Sequence, residues 1–217
     1  RWDHPKFGLL GPGAFLPLAE QTGMMRPLTL RVLGDALAQC ARWDREGIEM
    51  PVAVNLGAPN LLDLALPGDV RDLLDRHGVD PAMLQLEITE TIVAADPVRV
   101  IEIMNRLSEL GISLSLDDFG TGSSSLAYLR ELPVRELKID KSFILGMDSD
   151  PEAATIVKTV VELAHSLGLE AVGEGIETEE AHRLLIDCDC DYGQGFLLGR
   201  PMPAEELSAM VAVPRAA

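Results

Sequence analysis

Two aspartates stand side by side in the stretch SLSLDDFGTG, residues 113–122, where an alternating, strand-like pattern runs into a glycine-punctuated turn. Asp117 and Asp118 placed there would repel each other unless a cation sits among them. Further polar side chains interrupt other apolar stretches at or near their C-terminal ends: Asn55 in 52–56, Glu87 in 84–88, Lys138 in 134–140, Glu174 after 169–173, and Gln194 in 192–198. Oxygen donors in this number suit hard divalent ions, Mg²⁺ or Mn²⁺. Taken alone, each acid is more simply a helix cap or a solvated carboxylate. Convergence on one place is what would make a site of them.

The intervening segments say how that convergence could come about. Helical periodicity runs over 70–77, 98–110, 153–167 and 178–186. Gly78, Gly111 and Gly168 stand where left-handed caps are wanted, and Pro97 and Pro151 lie near helix starts. Strand and helix in alternation imply parallel pairing with right-handed crossovers, in an open doubly wound sheet or a closed barrel. Polar residues at the strand ends favour the barrel, where those ends meet on one face. The helix over 153–167 carries Ala154, Ile156, Val157, Val160, Val161 and Leu163, an apolar face expected to pack on that barrel. No low-complexity linker or charge block divides the chain, so residues 1–217 are expected to form one domain.

Eighteen basic against thirty-five acidic residues give a net charge of −17, which argues against coating a nucleic-acid polymer or an anionic membrane. No apolar run approaches the roughly 18 residues of a membrane span, so a soluble protein is expected. Cys40, Cys188 and Cys190 are too few for a disulfide framework and suit a reducing compartment. The Cys188-Asp189-Cys190 pair lacks the second cluster of a zinc site. His4, His77, His165 and His182 are scattered, which argues against a histidine nucleophile. Asp118-Phe119-Gly120 has no glycine-rich loop or His-Arg-Asp segment to make it a kinase triplet, and Thr178 stands at the third glycine of a dinucleotide fingerprint begun at Gly173.

Seven stretches, in order and spanning nearly the whole chain, together resemble the EAL domain family of bacterial cyclic di-GMP phosphodiesterases. They are Arg1–Pro5, Val54–Leu56, Leu86–Glu90, Asp117–Gly122, Leu137–Asp140, Gly173–Glu177 and Gln194–Phe196. The resemblance implies a modified TIM-like β/α barrel and hydrolysis of cyclic di-GMP to linear pGpG. It implies that Asn55, Glu87 and Asp117 bind one divalent ion, with Asp117 bridging to a second held partly by Asp118. Lys138 would hold and orient the attacking water, Glu174 would act as ligand or general base, and Gln194 would complete the pocket. Glu90 would anchor the loop after the paired aspartates, and Arg1 would contact a ligand phosphate. A homodimer, upstream GGDEF or sensory domains, and a bacterial cytoplasmic location are implied as well. Two metal ions suit this reaction, because they lower the pKa of water and clamp the attacking and leaving oxygens.

Some positions depart from the family pattern. The glutamate of Glu-Ala-Leu, a family metal ligand, would lie four residues before Arg1, so it and the first strands of the barrel are expected to precede Arg1 in a longer protein. Ser123 replaces a common aromatic, Gly173 an alanine, Asp189 a glycine and Ala181 a glutamine. The contrasting reading is a catalytically inactive cyclic di-GMP receptor; retention of Glu87, Asp117, Asp118 and Glu174 favours the enzyme.

Overall fold

The structure, a computed structural model, describes residues 1–121 and 129–212. Gly122 and Ser123 lie outside the described residues. A short antiparallel hairpin, β1 (Trp2–His4) and β2 (Gly8–Leu10), opens the chain, followed by α1 (Leu16–Gln21) and α2 (Met25–Arg45). Then strand and helix alternate: β3 (Val52–Leu56), α3 (Ala58–Leu61), α4 (Leu66–His77), β4 (Leu84–Thr89), α5 (Glu90–Ala95), α6 (Pro97–Ser108) and β5 (Ser113–Phe119). The chain continues through β6 (Glu136–Ile139), α7 (Lys141–Ile144), α8 (Pro151–Ser166), β7 (Glu170–Glu174), α9 (Glu179–Asp187), β8 (Tyr192–Gln194) and α10 (Ala204–Ala212).

Strands β3 to β8 form one parallel sheet in sequence order, curled into a half-barrel whose edges are β3 and β8 among the described residues. This is the TIM-like architecture that the polar strand ends favour over an open doubly wound sheet. Gly78, Gly111 and Gly168 all take positive φ (64°, 91° and 74°), as their cap positions require. Asp150 caps α8 and Thr178 caps α9 through their side chains, each accepting a main-chain N–H.

The two faces of the sheet differ in chemistry. Leu84, Leu86, Ile88, Leu114, Leu116, Leu137 and Ile139 turn to the helices and are almost wholly buried. The alternate residues, Gln85, Glu87, Ser115, Asp117, Glu136 and Lys138, share the inner face of the curl. Strands of a parallel sheet usually read as continuous apolar runs; these alternate because the inner face is polar. Val157, Val161 and Ala164 of α8 are fully buried against the sheet, while Ile156 at its flank stays exposed.

Two elements go beyond the sequence reading. Helix α2, 21 residues long, buries Met25, Thr29, Leu33, Leu37, Cys40 and Trp43 as one stripe, and Trp43 Nε1 donates to Ser208 Oγ of α10 at 2.7 Å. The alternating pattern places the end of β5 at Asp117, but the strand continues through Phe119 by slipping register against β6 between Leu116 and Phe119. Strand β8 in turn is shorter than the expected 192–198, ending at Gln194.

Past that end, the chain closes tightly on the segment after β7. Ile176 N donates to Gln194 O, and Leu197 N donates to Ile176 O, both at 3.0 Å. Gly195 lies between them, where an added Cβ would stand 2.2 Å from both Ile176 N and O. At Gly173 an added Cβ meets only the tip of Leu185, at 2.8 Å. Gly195→Ala must displace main chain and should destabilise by about 1–3 kcal/mol or more, lowering Tm by several degrees in thermal unfolding. Gly173→Ala should cost clearly less, because Leu185 can change rotamer.

Candidate active site

Asn55, Glu87, Asp117, Lys138, Glu174 and Gln194 come from six consecutive strands, and the sheet register lines them up. Asn55 is the Cα partner of Glu87, and Glu174 of Gln194. Each stands at or near the C-terminal end of its strand, so their side chains gather at one mouth of the half-barrel.

Lys138 is the centre of the gathering. Its side chain is 6% exposed, and Nζ lies 2.7 Å from Glu87 Oε1, 2.6 Å from Glu174 Oε1 and 3.5 Å from Asp117 Oδ1. Burial alone would lower the Lys138 pKa, but the hydrogen bonds and charges of Glu174 and Glu87 leave it raised above its ordinary value. Glu87 is held on its other side by Asn55, whose Nδ2 donates to Oε2 at 2.7 Å. Burial pushes the Glu174 pKa up despite the contact with Lys138.

The paired aspartates are separated by backbone geometry. Asp118 has φ +55°, a left-handed conformation rare outside glycine, and it falls within the register slip of β5. The slip turns Asp118 out of strict strand alternation, so both carboxyls reach the mouth. Asp118 N donates to Asp117 Oδ1 at 3.0 Å. The following turn is fixed by buried Glu90, whose Oε2 accepts from Gly120 N at 2.9 Å, and by Thr121 Oγ1 donating to Asp118 O. Gly120, at φ +97°, lies so close to Phe143 that an added Cβ would stand 2.8 Å from the ring. Glu90 therefore touches the loop that the resemblance assigned to it.

One residue of this mouth has no role in the sequence reading. Asp140, just past β6 and two residues beyond Lys138, sits against Asp118. Burial, then the charges of Asp117 and Asp140, push the Asp118 pKa up. Burial would raise Asp140 too, but Ser142, which donates to it through N–H and O–H, helps to hold it below the usual range. Spacing is the signal that could have found it: residues two apart at a strand end share a face, and Lys138 marks that face.

Asp117, Asp118 and Glu174 each offer an oxygen within 4.8 Å of the others. This all-oxygen, acid-rich donor set fits hard divalent cations. Glu87 adjoins that trio through Lys138, and Asn55 adjoins Glu87. Gln194 is exposed at the rim. Arg1, also exposed, makes no hydrogen bond or ion pair with the cluster among the described residues.

A curled parallel α/β sheet with an acidic, lysine-centred mouth defines a TIM-like domain of the class that works at its strand ends. The EAL domain family matches residues 1–201, and the chain belongs to that family. It is 46% identical over 213 residues to the bifunctional diguanylate cyclase/cyclic di-GMP phosphodiesterase MucR of Pseudomonas aeruginosa, covering 98% of this chain and 31% of MucR. It is 41% identical over 208 residues to the cyclic di-GMP phosphodiesterase NbdA of the same organism, covering 95% of this chain and 27% of NbdA. The chain thus spans about a third of the length of these relatives. A solved structure of the PaMucR phosphodiesterase in complex with c-di-GMP superposes with a TM-score of 0.91 at 45% identity, covering 95% of this chain and 84% of that one. No described helix is long and apolar enough to cross a membrane.

Removing the ammonium tests its role in the cluster. Without added metal, Lys138→Met leaves buried carboxylates uncompensated and should cost about 3–5 kcal/mol at neutral pH by urea unfolding. Carboxylates so stranded have folded pKa values above their unfolded ones. Stability should therefore be lowest at neutral pH and recover as pH falls through those folded values.

Proposed function

We propose that the chain is a metal-dependent phosphodiesterase domain that opens cyclic di-GMP to linear pGpG in bacterial second-messenger signalling. The observation that carries this reading is the convergence of Asp117, Asp118 and Glu174 around Lys138. The names of MucR and NbdA, both cyclic di-GMP phosphodiesterases, support the substrate.

In this reading Asp117, Asp118, Glu87 and Asn55 would hold two divalent ions, Mg²⁺ or Mn²⁺, which would supply charge neutralisation at the phosphoryl oxygens and acidify water. Lys138 holds the attacking water and adds a fixed positive charge beside the reacting phosphate. Glu174 acts either as a ligand of the second ion or as the general base that takes the proton water gives up. Asp140 adds its negative charge beside Asp118 and so strengthens the pull on a cation. Glu90 holds the turn at Gly120, so that Asp118 stays in its left-handed conformation as substrate enters. Gln194 and Arg1, both exposed, are left for contacts to the ligand, Arg1 to a phosphate. The net charge of −17 suits neutral or metal-clothed ligands better than bare polyanions, so the cations are needed for the nucleotide to approach.

The same reading takes residues 1–217 as one domain, places it in the cytoplasm, free or within a larger membrane-anchored protein, and pairs it as a homodimer with GGDEF or sensory domains upstream. The family resemblance carries the dimer and the location. MucR, which bears a cyclase function in its name and extends well beyond the matched region, supports the additional domains.

Product chromatography tests the proposal. With Mg²⁺ or Mn²⁺ the domain should convert cyclic di-GMP to pGpG, chelation should stop it, and Glu174→Gln should slow turnover by about a hundred- to ten-thousand-fold while the nucleotide still binds. Binding without turnover in a protein that includes the Glu-Ala-Leu segment would instead identify a receptor.

A further inference from the structure

The end of β8 leads into a pair of side chains that the proposed hydrolysis does not use. Phe196 lies two residues past Gln194, no more than about 7 Å from it along the chain, and is 49% exposed. The turn that carries it is pinned on both sides to Ile176, itself two residues past Glu174: Ile176 N donates to Gln194 O, and Leu197 N donates to Ile176 O. Leu197 packs on the core. Phe196 is thereby held at the rim of the mouth.

Over that ring stands the guanidinium of Arg200, 4.6 Å from the centroid. In a chain of net charge −17, the usual partner of an exposed arginine is an acid. Arg26, Arg31, Arg42 and Arg183 each reach a carboxylate. Arg200, also exposed, makes no ion pair or hydrogen bond among the described residues and lies on Phe196 instead. A guanidinium laid on an aromatic face keeps its N–H donors directed outward in its own plane. Those donors are free for a flat ligand that meets them edge-on.

We propose that Phe196 and Arg200 read one guanine of the cyclic dinucleotide and set the preference for guanine over adenine, an inference that rests on the phosphodiesterase reading. Guanine presents two adjacent acceptors, O6 and N7, which a guanidinium fork matches with two parallel hydrogen bonds. A base bound in that way lies in the plane of the guanidinium. It therefore continues the layer that already covers Phe196, where stacking on the ring adds to the bonds. Adenine carries an amino group in place of O6 and brings a donor against a donor. The ribose holds a base away from its phosphate, so a base reader belongs on the rim, while the carboxylates of the mouth attend to the phosphate.

Equilibrium binding of three cyclic dinucleotides tests the assignment, with Mg²⁺ present and with Glu174→Gln in every protein to keep turnover slow. The three are cyclic di-GMP, its inosine analogue, which keeps O6 and N7, and cyclic di-AMP. Arg200→Met should weaken the guanine and inosine compounds alike by about tenfold or more while changing cyclic di-AMP by less than about twofold, so the gap between guanine and adenine narrows. Phe196→Ala should weaken all three by about fivefold or more, because stacking does not distinguish the purines, and Phe196→Tyr should restore them. Should Phe196→Ala fail to fold, Arg200→Met, which alters only an exposed side chain, decides. An equal loss for all three compounds in Arg200→Met would make Arg200 a charge for the phosphates and overturn the assignment, as would no loss at all. If the parent binds cyclic di-GMP and opens it to pGpG while Arg200→Met has no effect, this inference fails alone. A parent that binds none of the three fails the phosphodiesterase reading first, and this inference falls with it.

Discussion

Everything at the mouth depends on one buried ammonium. Lys138 Nζ stands against carboxylates from three different strands, so it determines how closely β4, β5 and β7 can bring their acids together. Taking charges out of water costs several kcal/mol per ion, and attraction in the interior offsets this only when geometry is good. Short contacts to Glu87 and Glu174 meet that condition. Yet one positive charge against three negative ones leaves an excess, and Asp118 and Asp140 add to it at the edge. The fold therefore carries a concentration of negative charge that its own side chains do not balance, which is the electrostatic definition of a cation site.

Such a cluster is tolerable only because the other face of the sheet is unambiguous. The leucines and isoleucines of β4, β5 and β6 bury themselves against the helices almost completely, and that burial supplies the stabilisation that the polar face does not. A register slip by one residue would bring these side chains to the inner face and turn Lys138 and Glu87 into the helical layer. The alternation thus fixes the register, and the register fixes the site.

The legible and illegible parts of this molecule divide along the same line. Strand positions, their polar C-terminal ends and the glycine caps can be read from the sequence, because period-two alternation and positive-φ glycines leave local marks. Helix α2 leaves weaker marks: Met24 offers no side-chain cap, Pro27 lies in the first turn and Gly34 in the middle. It is helical because its buried stripe packs on the sheet and α4, a tertiary cause. The hairpin β1–β2 is mostly exposed and has no buried face to create a pattern. Spacing puts Asp140 on the face of Lys138, but its contact with Asp118 is not legible, since that depends on the slip of β5 that turns Asp118 towards it.

That slip is also where the backbone stores strain. A non-glycine residue in the left-handed region costs of order 1–3 kcal/mol and persists only where its surroundings over-determine it. Here they do: the Glu90 carboxylate holds Gly120, Phe143 closes over the same glycine, and Thr121 ties back to Asp118. The strain places a second carboxyl beside Asp117 where an ideal strand would have pointed it at the helices. Burial and its acidic neighbours then raise the Asp118 pKa, as burial raises that of Glu174. In the proposed metal-dependent reading, protons and divalent ions compete for these two groups, and cation binding releases whatever protons they hold. The same desolvation that makes the carboxylates hard to ionise alone is what makes a small, highly charged ion their most effective partner.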